Sequence, residues 1–204
     1  MNFDETLNKA SQFMRSLDKK MDGLKIREDL ESRVSCALLH LSLEHFGAIV
    51  VLITNNLNGS SAALVRLQYE ALIRGMYFYQ CASNSEAEKF AAGKEPPRIK
   101  EMIKQLEAKP GFTSGVFSRV HQREWGAMNS YTHGGAAQVQ RRYSGSELIG
   151  NYSETDRLDI LKASKGMALL AATHAALACG SIELAKELKE EFSRSEDEPL
   201  QNAG

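Results

Sequence analysis

The stretch L-V-R-L-Q-Y-E-A-L-I-R-G-M-Y-F, residues 64–78, decides the fold because it is a strongly apolar helical sequence that carries three regularly spaced charges. Arg66, Glu70 and Arg74 follow one another at four-residue steps, about 1.1 turns of an α-helix, so their side chains form one row. We call these three residues the charged row. The surrounding positions are aliphatic or aromatic, which predicts a helix buried on most of its sides. Because unpaired charges are costly to bury, the charged row requires polar partners.

On both sides of this stretch, apolar residues recur at helical spacing, and no segment alternates convincingly with a period of two. The pattern predicts an all-α fold: a single-domain bundle of about six to seven helices, two or three of them long, over residues 1–192. Residues 193–204 are predicted to be an acidic, flexible tail. The least regular segment, residues 136–152, is expected to be a functional loop or a short hairpin.

Capping residues divide the pattern into helices. Asn58-Gly59 is the predicted stop of the second, long helix, and Ser60 or Ser61 is the predicted cap of the next. The run Ser153-Glu154-Thr155-Asp156 is a capping sequence for a long alanine-rich helix that follows. Its small residues allow another helix to approach closely, as in a tight bundle.

Composition excludes several classes of protein. The chain has 204 residues, is 43% hydrophobic and carries a formal net charge of -1, so it has no basic coat for nucleic acid or acidic membranes. The N-terminus lacks a signal peptide, and the longest apolar run, residues 46–53, is far short of the roughly 20 residues that span a bilayer. We expect a cytoplasmic protein without membrane contact. Cys36, Cys81 and Cys179 form no C-x-x-C pair, which predicts buried, reduced thiols.

A second candidate site lies in residues 119–142, R-V-H-Q-R-E-W-G-A-M-N-S-Y-T-H-G-G-A-A-Q-V-Q-R-R. This segment contains four arginines and two histidines against one carboxylate, Glu124. At the end of its predicted helix, Tyr131, Thr132 and His133 precede two glycines, which permit close approach of a ligand to the backbone. Histidine titrates near neutral pH and is the usual general acid or base. The alternative is that the glycines only end the helix and His133 makes a structural hydrogen bond.

The sequence lacks the patterns of metal and nucleotide-loop chemistry. His40 and His45 are five residues apart and point in different directions on a helix, and no E-x-x-H occurs, which argues against a di-iron bundle. No Walker A, G-x-G-x-x-G, H-E-x-x-H or G-x-S-x-G pattern is present. We therefore expect no metal ion and no cofactor.

The sequence resembles bacterial all-α proteins of unknown function and, more loosely, AbiV-type abortive-infection and HEPN-like helical bundles. Two stretches together carry this resemblance: R-L-Q-Y-E-A-L-I-R-G-M, residues 66–76, and N-S-Y-T-H-G-G, residues 129–135. In those relatives an Arg-(x)3-Glu helix precedes a helix that ends in His-Gly or His-Pro. The matching positions are Arg66, Glu70 and His133, with Arg74, Tyr131 and Thr132 around them. The chain departs from HEPN ribonucleases at the catalytic R-x4-6-H motif, since no such spacing falls near His133. Arg33 and His40 fit that spacing at about the rate expected by chance.

One functional hypothesis is a polar pocket for a phosphate-bearing ligand, a nucleotide or RNA. Its predicted ligand-binding residues are Arg74, Tyr131, Thr132, Arg141 and Arg142. If a bond is broken, His133, Arg66 and Glu70 are the predicted catalytic residues of a metal-free RNA cleavage, in which His133 moves a proton at the 2′-hydroxyl. The resemblance implies a defence or toxin setting, with an antitoxin or other defence partner.

The other hypothesis is a non-catalytic interaction or scaffold protein. The charged row and His133 would then form an internal network that fixes the packing of the helices, and the bundle would be a homodimer. Residue identity alone does not decide between these hypotheses, so the sequence leaves open whether the protein is an enzyme.

Overall fold

The computed structural model describes residues 2–197, which fold into helices joined by short loops and one small hairpin. The helices are α1 (Phe3–Met21), α2 (Leu30–Thr54), α3 (Asn58–Gln80), α4 (Asn84–Ala91), α5 (Ile99–Glu107), α6 (Val116–Thr132), α7 (Ala136–Gln140), α8 (Glu154–Ala178) and α9 (Ile182–Asp197). The hairpin pairs β1 (Tyr143–Ser144) with β2 (Glu147–Leu148) in antiparallel register.

The predicted all-α single-domain fold is confirmed, although the described residues contain nine helices instead of six or seven. The short helix α7 and the hairpin lie in the segment for which a loop or hairpin was expected. Helix α9 includes residues 193–197, which were assigned to the tail, because its helical pattern continues past Phe192. The rest of the predicted tail, residues 198–204, lies outside the described residues.

The centre of the molecule is formed by α2, α3 and α8, which pack against one another. Helices α2 and α3 approach most closely at Gly75, where a Cβ atom would lie 2.6 Å from Leu39 Cγ. The face of α8 toward α2 and α3 is alanine-rich, and Ala168, Ala171 and Ala172 are fully buried. Small residues at these positions let the three backbones pack tightly.

The turn between α2 and α3 differs from the predicted one. Helix α2 ends at Thr54, and Asn56 takes the left-handed conformation with φ of 58°. Asparagine tolerates this conformation better than most residues, so the chain turns before Asn58-Gly59. Helix α3 begins at Asn58, with Leu57 as its N-cap and no side-chain capping bond from Ser60 or Ser61.

The part of the chain between α3 and α8 adds buried residues to the edge of the core, among them Ala87, Met102 and Leu106. Helices α4 to α7 and the hairpin occupy this interval, and α5 and α6 pack against α3. A capping box of Ser153 and Asp156 starts α8, as the sequence predicted. Helix α2 is long and apolar enough to cross a membrane by length and composition, and 44% of its most apolar window is buried in the bundle. A core helix of a soluble protein meets the same criteria.

Candidate functional site

The charged row lies on α3 and is paired within itself. Glu70 Oε1 accepts a hydrogen bond from Arg66 Nε at 2.7 Å, and Glu70 Oε2 lies 3.2 Å from Arg74 Nη2. The side chains are partly buried, with exposed fractions of 19% for Arg66, 13% for Glu70 and 32% for Arg74. One carboxylate thus serves two guanidinium groups, and the row keeps one positive charge in excess.

His133 meets this row at Arg66. Its Nε2 atom lies 2.5 Å from Arg66 Nη1, and the imidazole belongs to an exposed residue. A guanidinium group can only donate hydrogen bonds, so Nε2 is the acceptor and the proton of the neutral ring is on Nδ1. The contact therefore leaves an N–H group of His133 for solvent or a ligand.

Helix α6 brings His133 to α3 because the two helices run antiparallel. The Thr132 hydroxyl is 3.2 Å from Ala63 O on α3 and 2.9 Å from Met128 O in its own helix. Earlier in α6, the Trp125 ring also faces α3, and the Arg66 guanidinium lies over this ring, 4.8 Å from its centroid. A cation over an indole face is an attractive arrangement, so Trp125 helps to fix Arg66. We call Arg66, Glu70, Arg74, Trp125 and His133 the Arg66 cluster.

Two glycines end α6 for different reasons. Gly134 has a φ of 65°, the left-handed conformation that glycine adopts without strain. Gly135 faces Ser130 so closely that a Cβ atom would lie 2.6 Å from its hydroxyl and 3.0 Å from its Cα. The same hydroxyl accepts a hydrogen bond from Ala137 N at 2.9 Å, which starts α7. The glycine pair is thus a close-packed turn that positions His133.

Arg74 keeps unused hydrogen-bonding capacity. Its Nε atom is buried and makes no hydrogen bond with any residue that the structure describes. An unsatisfied buried donor costs about 1–3 kcal/mol. Its guanidinium group is nevertheless about one-third exposed, and an anion bound at that face would add acceptors for Arg74.

Sequence reasoning missed the aromatic residues beside the cluster. The His121 ring lies 4.5 Å from that of Trp125 and is stacked at 6.3 Å on Tyr69. Burial lowers the pKa of His121, and Lys100 lowers it further. His121 and Trp125 are four residues apart on α6, which places their side chains on one face, and this spacing could have identified them.

Tyr131 and Arg141 of the basic segment lie outside the Arg66 cluster. Arg141 forms a bidentate ion pair with Asp156, with Nη1–Oδ2 of 2.9 Å and Nη2–Oδ1 of 2.7 Å. A hydrogen bond with Tyr131 is the largest contribution to a raised pKa of Arg141. The Tyr131 and Tyr152 rings lie 6.5 Å apart. Tyr131 and Arg141 thus belong to a second group that holds the loop before α8.

Arg142 is exposed and lies at the first turn of α3. Its guanidinium group is so close to Gly59 that a Cβ atom there would overlap it. Gln138 Nε2 donates to Gly59 O at 3.1 Å from the same side. Gly59 therefore lies in the first turn of α3, in contact with the loop that carries Arg142, and is not the predicted helix stop.

The Arg33–His40 spacing match lies on α2, outside the Arg66 cluster. His40 lines a surface cavity of about 520 Å³ with residues of α1, including Asp18 and Asp22. Within residues 2–197 no group of three or more histidine, cysteine, aspartate or glutamate side chains is placed to hold a metal ion. The Arg66 cluster instead has the composition of an anion site, with arginine donors, an imidazole and one orienting carboxylate.

A protein-family model described as "Family of unknown function (DUF6988)" matches residues 39–196. The match contains every residue of the Arg66 cluster and both arginines that follow α7. Comparison with the curated proteins and with the solved structures gives no match.

Proposed function

The chain belongs to the DUF6988 family, and from its own geometry we propose that the Arg66 cluster binds the phosphate groups of RNA or of a nucleotide. The observation that supports this proposal most directly is the arrangement of cations along one face of α3. The Arg142 guanidinium lies at Gly59, Arg66 is seven residues further along the helix and Arg74 another eight, so the three backbone positions on α3 are about 10 and 12 Å apart at 1.5 Å per residue. Glu70 is the single carboxylate of the charged row.

A chain of phosphates fits this line better than one phosphate does. The guanidinium groups of Arg66 and Arg74 meet at the Glu70 carboxylate and can contact one phosphate, whereas Arg142 lies at the first turn of α3 and can contact a different one. The Arg142 end coincides with the N-terminus of α3, where the helix dipole also favours an anion. These features favour RNA over a mononucleotide. Arg141, held by Asp156, would position the loop that presents Arg142, with Tyr131 as its support.

RNA cleavage is the reaction that this site could perform without a metal. When a phosphate binds Arg66, Nη1 turns toward it and releases His133 Nε2. That nitrogen then takes the proton of the 2′-hydroxyl, the 2′-oxygen attacks phosphorus and the P–O5′ bond breaks, with water protonating the leaving oxygen. Arg66 and Arg74 stabilise the charge that develops on the phosphate, and Glu70 orients both arginines. Thr132 anchors the histidine through Ala63 O.

The biological setting is proposed from resemblance. Arg66, Glu70 and His133 resemble the pattern of AbiV-type and HEPN-like bundles. The DUF6988 family has no known function, so membership in it does not support this resemblance. On this basis we propose a cytoplasmic defence or toxin protein, a homodimer that works with an antitoxin or another defence partner.

RNA binding is tested with a short fluorescein-labelled oligouridylate and fluorescence anisotropy. We expect binding by the full chain that weakens between about 50 and 200 mM salt. Arg142→Gln should weaken binding at low salt and lower the slope of log K against log salt by about one, because one phosphate contact is lost. Arg123→Gln is the matched control, since Arg123 is an exposed arginine of α6 paired with its neighbour Glu124. No binding at the lowest salt, or equal effects of the two variants, contradicts the proposal.

A second candidate function, a non-catalytic dimeric scaffold, is favoured by the mutual pairing of Arg66, Glu70 and His133. The variant His133→Ala separates the two functions. If His133 acts on a ligand, the variant loses RNA binding or cleavage and keeps its melting temperature. If His133 is structural, the variant loses about 1–3 kcal/mol of stability because Arg66 is left with an unpaired donor.

A further inference from the structure

Two cysteines that are far apart in the sequence are in contact in the fold. Cys36 lies in α2 and Cys179 is the C-cap of α8, and their Sγ atoms are 3.5 Å apart. The bond length of a disulfide is about 2.05 Å, so a shift of about 1.5 Å would join the two sulfur atoms. The sequence predicts three buried, reduced thiols, because the cysteines are widely spaced and form no C-x-x-C pair. In the structure only Cys36 is buried, and the fold brings it into contact with Cys179 although 143 residues separate them.

The two thiols differ in their surroundings. Cys36 is 5% exposed, and its sulfur lies 4.0 Å from Ala175 O. Burial raises the pKa of Cys36 to about 12, so this sulfur stays protonated at neutral pH. Cys179 is half-buried and precedes the exposed Gly180, which turns the chain with a φ of 81°. A small oxidant from solvent therefore reaches Cys179 first, with Cys36 directly behind it.

We propose that Cys36 and Cys179 are a modification site, a thiol pair that peroxides convert reversibly into an intramolecular disulfide. Cys179 attacks hydrogen peroxide, the O–O bond breaks, and the products are the Cys179 sulfenic acid and water. The Cys36 sulfur then attacks the Cys179 sulfur, its proton passes to the departing hydroxyl group as the S–O bond breaks, and a second water molecule is released. Overall, two thiols lose two electrons and two protons, and hydrogen peroxide is reduced to two water molecules.

The disulfide joins the first turns of α2 to the C-cap of α8. Every helix from α3 to α7 lies within the loop that it closes, including the Arg66 cluster. The two sulfur atoms are already in contact in the reduced protein, so the bond forms by a shift of about 1.5 Å. Dithiols of this kind return to the reduced state by exchange with an added dithiol.

Cys81 supplies an internal control. It is the C-cap of α3 and is half-buried like Cys179, and within residues 2–197 no other thiol contacts it. Burial also raises the pKa of Cys81. Exposure alone would make Cys81 and Cys179 equally reactive, whereas the thiol pair predicts that only Cys179 forms a cross-link.

The test treats the purified full chain with hydrogen peroxide, blocks the remaining thiols by alkylation and maps the peptides without reduction. We expect a monomer lighter by two hydrogen atoms, with the peptides of Cys36 and Cys179 linked and only Cys81 alkylated, and reversal by dithiothreitol. Cys81→Ser should give the same product, and Cys179→Ser should give none. The peptide map of the wild-type protein tests the proposal even if a Cys36 variant folds poorly. A link that contains Cys81, a disulfide-linked dimer, or oxidation of Cys179 to sulfinic acid without a link overturns the proposal.

Discussion

Arg66 shows how a single side chain can connect three parts of this molecule. Its Nε donates to Glu70 on the same helix, its Nη1 donates to His133 at the end of α6, and its planar group lies over Trp125. The spacing of the charged row predicts the first contact, because it is local. The other two depend on how α6 packs on α3, which no local pattern in the sequence encodes.

His174 is a buried histidine whose titration affects stability. Its Nδ1 atom donates to Leu170 O at 2.8 Å, and its ring lies 5.7 Å from Phe112. Burial lowers the pKa of His174, the Leu170 hydrogen bond partly opposes this and Lys189 lowers it further. A base with a lowered pKa binds its proton more readily in the unfolded chain. Above about pH 6.5 the lowered pKa of His174 therefore has no effect on the free energy of unfolding. As the pH falls from there toward the folded-state pKa, proton binding by the unfolded chain lowers that free energy.

We therefore expect the free energy of unfolding to fall between about pH 7 and pH 5 in the wild type. In His174→Gln it should fall less steeply, with His45 and His121, whose pKa values burial also lowers, supplying the remaining slope. Urea unfolding followed by circular dichroism at a series of pH values measures both slopes. Equal slopes in the two proteins would show that His174 does not contribute.

At the scale of helices, apolar periodicity predicts most of the structure but not its turns. The long helices follow from sequence spacing. The turn at Asn56 depends on which asparagine takes the left-handed conformation, and the short helix α7 and the position of the Arg66 cluster depend on tertiary contacts. Asp156 illustrates the reason. The sequence identifies it as part of a capping box, but its ion pair with Arg141 joins a loop to a helix that follows it, and charge patterning did not predict this.

Two helical glycines differ in the space around them, so their substitution by alanine should have opposite effects on stability. In Gly75→Ala the new methyl group would overlap Leu39, whose backbone nitrogen lies 3.1 Å from the Cβ position, so we expect a net loss on the order of 1–2 kcal/mol. In Gly126→Ala on α6 nothing lies within 4 Å of the Cβ position, and the better helix propensity should add about 0.5–1 kcal/mol. Thermal and urea unfolding of both variants test this. A Gly75→Ala protein as stable as the wild type would mean that the helices separate without cost.

At the scale of the whole molecule, a buried polar pair links the central helices. Gln68 and Ser164 are fully buried; Gln68 Nε2 donates to Ser164 O at 2.9 Å and Ser164 Oγ donates to Gln68 Oε1 at 2.6 Å. Ser42 on α2 donates to Gln68 O at 3.1 Å. The apolar pattern of the sequence predicts which helix faces are buried, but it does not specify how the helices are aligned along their axes. These hydrogen bonds specify that alignment for α2, α3 and α8.

A double-mutant cycle tests this link. Gln68→Leu leaves the Ser164 hydroxyl unpaired in the core and should cost about 1–3 kcal/mol. Adding Ser164→Ala removes the unpaired group, so the double variant should be more stable than the sum of the single effects predicts. The measurement is the free energy of unfolding of the four proteins in urea. Additive effects would mean that the two residues stabilise the bundle independently.

The separation of α8 from its partners along the chain has a consequence for synthesis. Helices α2 and α3 are neighbours in sequence, but α8 begins only at Glu154, after the whole interval that carries α4 to α7. A ribosome adding about 5–20 residues per second needs roughly 4 to 15 s to translate from Gln80 to Glu154. During that time the nascent chain presents to solvent, or to a chaperone, the surface around Gln68 and Cys36 that α8 later covers. The pace of translation through the loop-rich interval thus sets how long the newborn protein is open to aggregation.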